Sequence, residues 1–342
     1  MPICTKPLIR AETIESYINK KGGISYKVEW LDRVSWDNFK KSGKNERVAF
    51  HGKYRRIQEI PCGQCIECKL NYSREWATRA MLEKKYHNPN ECFFITLTYN
   101  DEHIPFHEVI DTETGESIVG MSLNKKDLQD FWKRVRKKFS NAKIKYINAG
   151  EYGGETLRPH YHAIVYGLPL NTSLFKKIGM SPTNEPYWQS PELDKLWGKG
   201  FVTIGELTWQ SAAYVARYTL KKAKGSTPEL LQAMGKKPEF VSMSQGIGKE
   251  YFEENMKNIY ETDSVPVINT KTGQLVKPPK SFDRLLKEVD NELYESIKKQ
   301  REESRISGER AQEKQTDLTP EERRKQKQEI FESSFKDIRK EL

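Results

Sequence analysis

Two strand-like runs joined by a short turn constrain this chain more than any other stretch. KIKYINAGEYGG ends at Gly154 and RPHYHAIVYG begins at Arg158, with Gly153, Gly154 and Pro159 around the turn. Runs rich in Ile, Tyr and Val, bounded by glycine and proline, read as a β-hairpin, so part of the fold must be antiparallel sheet. Side chains alternate along a strand, which turns His160 and His162 one way and Tyr161, Ala163 and Val165 the other. Two of the six histidines therefore share a face. Charged imidazoles side by side repel, whereas neutral ones can share a cation. Two polar residues on a wet strand face fit the same stretch.

A hairpin brings its strands within about 5 Å of each other. Glu151, in the first run, can therefore complete a three-ligand site with His160 and His162. Two imidazoles and a carboxylate suit a divalent metal that keeps positions open for water or substrate. Spacing alone fits a surface carboxylate equally well. Downstream, YVARYTLKK reads as helix, and at about 100° per residue Tyr214, Tyr218 and Lys221 fall within roughly 60° of arc. Packed tyrosines with wet hydroxyls are the simple reading of such a row. Beside a histidine pair in a basic chain, a row of two phenols and an ammonium points instead to nucleophiles that attack phosphorus. A phenol is mostly protonated at neutral pH, so a metal on the phosphate and a nearby lysine would both assist it.

The rest of the chain supplies further elements. GISYKVEWL and ERVAFHGKYRRIQEI read as strands, and a helix is expected from about Asn71 to Lys85. Cys92–Asp101 is a strand, and residues 102–122 an inserted loop or hairpin. SLNKKDLQDFWKRVRKKFS is the clearest helix, with Leu128, Phe131, Trp132, Val135 and Phe139 at helical spacing and Ser122 or Asn124 as cap. LDKLWGKGFVTIGEL reads as a helix end and a strand, and the tyrosine helix should end near Gly225. From about Pro279 the chain is highly charged and poor in core formers, and reads as exposed or partly disordered helix. The expected organisation is an N-terminal β-containing segment over 1–60, a main domain over 61–262 and a charged, helix-prone tail over 263–342.

The formal net charge is +10 over 342 residues, which favours a polyanionic partner, most often nucleic acid. A basic, solvated surface with no such partner is the plainer alternative. No apolar run is long enough to span a membrane, and MPICTKPLIR has no signal core. Five unevenly spaced cysteines argue against a secreted disulfide framework and for a reducing, cytosolic setting. Cys62, Cys65 and Cys68 in PCGQCIEC have the spacing of structural Zn²⁺ ligands. Cys4, Cys92, His51 or His87 could supply the fourth ligand; three reduced cysteines, or an iron–sulfur site, are the other readings.

FITLTY, then RPHYH, then YVARYTLKK follow the order of the three motifs of HUH endonucleases, in which two histidines flank a bulky residue. The paired tyrosines narrow the resemblance to two-tyrosine rolling-circle replication initiators. GEYG followed by RPHYH, with PCGQCIEC upstream, resembles the initiators of gokushovirus-type microviruses, small phages with single-stranded DNA genomes. YVARYTLKK is also similar to the catalytic stretch of the A protein of related small icosahedral phages. The resemblance covers about Pro61 to Lys224. It implies an α+β fold, a central antiparallel β-sheet flanked by helices, with the histidines on a central strand and the tyrosine helix beside them. It implies Mg²⁺ or Mn²⁺ on His160, His162 and Glu151, although the family's third ligand varies in type and position. It also implies that one tyrosine nicks the origin strand, keeps the 5′ phosphate and frees a 3′ hydroxyl, while the second permits the later cut that releases a circle. Tyr218, with Lys221 one turn ahead, is expected to attack first.

Arg158 and Lys222 adjoin these motifs and are expected to contact DNA phosphates. Arg134 and Lys137 in KRVRKKF either do the same or form the wet face of a core helix. No G-x-x-x-x-G-K-[ST] is present, so strand separation is expected to need a host helicase, and synthesis a host DNA polymerase, in the cytoplasm of the bacterial host. A plasmid initiator, relaxase or transposase would share the site. A zinc-containing nucleic-acid-binding protein without catalysis is the alternative from another class.

Overall fold

The computed structural model describes residues 4, 7–19, 22–32, 52–63, 65–110, 114–154, 156–181, 184–221, 231, 233–268, 273–313, 315–318, 322–323, 325–326, 329–330 and 333. The chain divides into two units, Met1–Asn71 with Gly308–Leu342, and Tyr72–Ser307. The sequence boundaries near 60 and 262 follow composition, whereas these follow contacts between residues.

In the first unit β1 (Leu8–Ile18) pairs antiparallel with β2 (Ile24–Leu31) on one side and β3 (Tyr54–Ile60) on the other. Of the second expected strand, residues 46–51 lie outside the described residues. The helix α1 (Ile66–Lys84) follows, beginning five residues before the expected start. Gly63, at a φ of 72°, turns the chain out of β3. The Cys62 sulfur then accepts a hydrogen bond from the Cys65 N–H at 3.2 Å, as an N-cap side chain would.

The second unit runs β4 (Phe93–Tyr99), β5 (Phe106–Ile110), β6 (Ser117–Met121), α2 (Lys125–Lys138), β7 (Lys145–Tyr152), β8 (Pro159–Tyr166), β9 (Lys176–Met180), β10 (Pro186–Gln189), α3 (Pro191–Trp197), β11 (Gly200–Glu206), α4 (Trp209–Lys221), β12 (Phe240–Met243), α5 (Lys249–Glu261), β13 (Val265–Ile268), β14 (Gly273–Val276), α6 (Lys280–Val289) and α7 (Asn291–Glu313). Seven strands form one antiparallel sheet in the order β12-β7-β8-β4-β11-β10-β9. This is the expected α+β architecture, with the histidine strand β8 inside the sheet. The segment 102–122 forms the β5–β6 hairpin.

Alternation sorts the sheet's side chains into two cores. On one face Phe93, Ile95, Leu97, Tyr99, Tyr161, Ala163 and Val165 pack against Leu128, Phe131, Trp132 and Val135 of α2 and Trp197 of α3. Asn124 caps α2, its side chain accepting from the Lys126 N–H. On the other face Ile147, Ala149, Ile164 and Tyr166 pack against Ala77 and Ala80 of α1 and Ala212, Val215 and Ala216 of α4. His160 and His162 share parity with Ile164 and Tyr166, so they lie on the α4 side. Tyr161 anchors the strand from the opposite face. Its hydroxyl lies 2.8 Å from that of Tyr99, donates to the Asn124 carbonyl and accepts from the Asn124 N–H, both at 2.9 Å. Burial pushes the Tyr161 phenol up to about 12, so this anchor is neutral.

The start of the charged C-terminal stretch is packed, contrary to its reading as exposed or disordered helix. Phe282, Leu286 and Ile297 join Leu82, Phe252, Ile259 and Tyr260 in a third cluster. Arg301 reaches Asp283 at 2.8 Å and Asp263 at 3.0 Å, so one guanidinium ties α7 to two carboxylates. Composition averages over such spaced apolar residues and hides them.

Gly150 sits between Ala149 and Glu151 and pairs with Phe240 of β12. A Cβ there would stand 2.7 Å from a carbon of the Phe240 ring, which is buried against Tyr161. Gly150→Ala should therefore lower stability by about 1–3 kcal/mol in urea denaturation. Gly154→Ala, where a Cβ meets open space, should stay within about 0.5 kcal/mol of the wild type. Equal stabilities of the two variants would contradict this account of the β7–β12 edge.

Candidate active site

Strand register brings the three expected ligands together. Glu151 faces His160 directly across β7–β8, and Ala149 faces His162, so the carboxylate is opposite one imidazole and diagonal to the other. Glu151 Oε1 lies 2.7 Å from His160 Nε2 and 2.9 Å from His162 Nε2. The three candidate ligand atoms fall within 4.8 Å of one another. Burial works against a charge on Glu151. Hydrogen bonds from His160 and His162 outweigh it and hold the carboxyl down at about 2, so the group is an anion at neutral pH.

Each imidazole is oriented from behind. His160 Nδ1 is 3.2 Å from the Arg158 carbonyl, which can only accept, while its Nε2 faces the Glu151 carboxylate, another acceptor. His162 Nδ1 is 2.9 Å from the Thr96 hydroxyl, which β4–β8 pairing sets directly beside it. Phe94 stacks on the His162 ring at 5.5 Å and 13°, and Tyr214 meets it edge-on at 5.2 Å. His160 faces an acceptor at both nitrogens, yet a neutral imidazole has one N–H to donate. A cation at Nε2 removes that mismatch, and second partners on Nδ1 are what metal-binding histidines require. Glu151, His160 and His162 thus fit a divalent cation.

The helix α4 brings a phenol to this group. Ala212, Val215 and Ala216 hold it against the sheet, and the Tyr214 hydroxyl lies 3.5 Å from Glu151 Oε1. Tyr218 and Lys221 follow on the same helix, but their side chains lie outside the described residues, as does Lys222 altogether. Arg158 pairs with Asp101 at 2.7 Å and donates to the Tyr99 carbonyl at 3.0 Å, near the end of β4. Arg134 donates to the carbonyls of Leu196 and Trp197, at the end of α3, at 2.6 and 3.1 Å. That geometry gives Arg134 a structural task. Lys137 is exposed. Both belong to α2, which packs on the face of the sheet away from the histidines.

The cysteine triplet acquires a fourth member. The sulfurs of Cys4, Cys62, Cys65 and Cys68 lie within 4.8 Å of one another. Cys92 instead packs with Ile164 and Tyr166 in the second unit, His87 bonds Glu83 at 2.8 Å, and His51 lies outside the described residues. Thr96 and Phe94 were not singled out in the sequence. The signal available for Thr96 was FITLTY itself, an apolar strand with threonines at alternate positions, which marks one polar face.

A family model described as Replication-associated protein ORF2/G2P matches residues 92–223, the span that carries the histidines, Glu151 and both tyrosines. The chain is 39% identical over 272 residues to Replication-associated protein ORF2 of Spiroplasma virus 4, covering 78% of this chain and 80% of that one. It is 31% identical over 218 residues to Replication-associated protein VP4 of Bdellovibrio phage phiMH2K, covering 63% and 64%. It is 27% identical over 252 residues to Replication-associated protein ORF4 of Chlamydia phage 1, covering 70% and 58%. No solved structure matches the chain.

Thr96→Val keeps the shape of the side chain and removes the acceptor behind His162. It should weaken Mn²⁺ binding by about 10–100-fold in calorimetric titration. Thr98→Val is the control, because that hydroxyl bonds the Phe201 carbonyl and no histidine nitrogen among the described contacts. Wild-type affinity in Thr96→Val would show that His162 does not bind the cation through Nε2.

Proposed function

The chain belongs to the family of phage replication-associated proteins, and from that premise we propose that it starts genome replication by cutting one DNA strand with a tyrosine. It is a rolling-circle replication initiator of the HUH type, and its reaction centre is the meeting point of β7, β8 and α4. The observation that carries this reading is the Tyr214 hydroxyl 3.5 Å from the carboxylate that both histidines contact. A module that only binds DNA has no need of a phenol aligned with two oriented imidazoles.

In the first step a tyrosine oxygen attacks the phosphorus of the scissile phosphate, and the P–O3′ bond breaks. The phenol gives up its proton and the leaving 3′ oxygen takes one up, so the products are a 5′ phosphotyrosine and a free 3′ hydroxyl. His160, His162 and Glu151 would hold Mg²⁺ or Mn²⁺, which when bound would supply Lewis-acid polarisation of that phosphate. Thr96, the Arg158 carbonyl and Phe94 hold the imidazoles so that little reorganisation accompanies the reaction. Lys221, with Arg158 and Lys222, steadies charge on the phosphate.

Tyr214 and Tyr218 are one helical turn apart. One of them keeps the 5′ end while the other attacks the regenerated origin. The 3′ hydroxyl freed by this second cut then attacks the first phosphotyrosine, which closes a unit-length circle and restores that tyrosine. The 3′ end of the first nick primes a host DNA polymerase, and a host helicase parts the strands. The work is done in the cytoplasm of the bacterial host. Among the described residues no helix is long and apolar enough to cross a membrane.

The test is incubation of the protein with Mn²⁺ and single-stranded oligonucleotides tiling the cognate genome, resolved on a denaturing gel. The wild type should form one covalent adduct, and EDTA should prevent it. Either single Tyr→Phe variant should still nick but lose circle release, and Y214F/Y218F should form no adduct. His160→Ala with His162→Ala should abolish cutting and keep most DNA binding, because phosphate contacts come mainly from lysine and arginine. An adduct formed by Y214F/Y218F would show that neither tyrosine is the nucleophile.

A further inference from the structure

The replication reading leaves the four cysteines of the first unit unused. We propose that Cys4, Cys62, Cys65 and Cys68 bind one structural Zn²⁺ that closes the end of the N-terminal sheet. The site goes beyond the endonuclease reading and does not depend on it.

The argument begins with strand register. Leu8 of β1 pairs with Ile60 of β3, so the chain before Leu8 and the chain after Ile60 leave the ladder at the same end. Cys4 lies on the first of these segments and Cys62 on the second. Gly63 turns the chain, Cys65 precedes α1, and Cys68 lies in its first turn. Four sulfurs from three separate places in the backbone thus converge within 4.8 Å.

The distances suit a metal better than a disulfide. Cys65 Sγ and Cys4 Sγ are 3.7 Å apart, and none of the five cysteines is in a disulfide. A sulfur–sulfur bond is about 2.0 Å long. Four sulfurs about 2.3 Å from a central Zn²⁺ form a tetrahedron with edges of about 3.8 Å.

Backbone donors already point at the sulfurs. The Cys62 N–H donates to Cys4 Sγ and the Cys65 N–H to Cys62 Sγ, both at 3.2 Å. Such bonds favour thiolate over thiol and hold ligands in place, as partners outside a metal's ligand set do. Four thiolates with no oxygen or nitrogen ligand form a closed site, which is structural rather than catalytic.

The unit also needs a fastening. Among the described residues its buried apolar cluster consists of Ile9, Ala11 and Ile57, with Leu31 and Tyr54 packed against it. A small three-stranded sheet gains from a staple, and a bound metal adds its binding free energy to folding. Removal of zinc should therefore loosen β1 and β3.

The test uses the full chain carrying His160→Ala and His162→Ala, so that zinc cannot occupy the other site. Metal analysis after dialysis should find about one zinc per chain. Cys4→Ser should lose it, and Cys92→Ser, outside the cluster, should keep it. Because Cys4→Ser also risks misfolding, Co²⁺ exchanged into the otherwise unaltered protein gives a second readout. Four thiolates should produce intense thiolate-to-metal absorption and strong tetrahedral d–d bands. Zinc removal should speed proteolysis within residues 1–71 and leave cleavage within 72–307 unchanged. Iron in place of zinc, no bound metal, a Cys4–Cys65 disulfide, or a Co²⁺ spectrum lacking thiolate bands would each overturn the proposal.

Discussion

The contact on which the rest of the main unit depends is a single carboxylate oxygen of Glu151 held between two imidazoles. Burying an acid is unfavourable unless opposite charge or hydrogen bonds answer it. Here both histidines answer it, and their own positions follow from β7–β8 register. A one-residue slip of β8 would turn both histidines to the opposite face, away from the buried Glu151 carboxylate. The features that hold this register are therefore also the features that build the site. Tyr161, between the two histidines, bonds to Tyr99 and Asn124 on the far face and makes a slip costly. Phe240 over Gly150 fixes the neighbouring edge.

The sheet separates two tasks. The face against α2 and α3 is apolar and large, with Trp132, Trp197 and Phe131 fully buried, and it supplies rigidity. The face against α1 and α4 is packed with small residues, Ala77, Ala80, Ala212 and Ala216. Small side chains let α4 lie close to the strands, and close approach brings a tyrosine hydroxyl within reach of Glu151. Tyr214 reaches the site from α4, and Tyr218 follows one helical turn later on the same helix.

Much of this was legible in the sequence because it is local. The hairpin, the shared face of His160 and His162 and the stripe of α2 depend on residues a few positions apart, and period-2 or period-3.6 patterns report them directly. Glu151 was legible because a tight turn dictates the register beside it. What was missed depends on long-range pairing. Thr96 meets His162 only because β4 returns to β8 across 66 positions, and Cys4, one of four candidates for the fourth ligand, is singled out only by meeting Cys62 across 58. Nothing periodic marks either pair. The early start of α1 rests on a sulfur cap, which propensity does not include. The packed start of the charged tail depends on Phe282, Leu286 and Ile297, too few to move its composition.

The central claim is that Glu151, His160 and His162 bind one divalent cation through the two Nε2 atoms and the carboxylate. Pulsed electron paramagnetic resonance of the Mn²⁺-loaded full-length protein, with ¹⁵N-labelled histidine, tests it most directly. The account predicts couplings from two directly bound histidine nitrogens, one lost in His160→Ala and the other in His162→Ala. Bound Mn²⁺ with no histidine coupling, or with couplings that survive both substitutions, would contradict it.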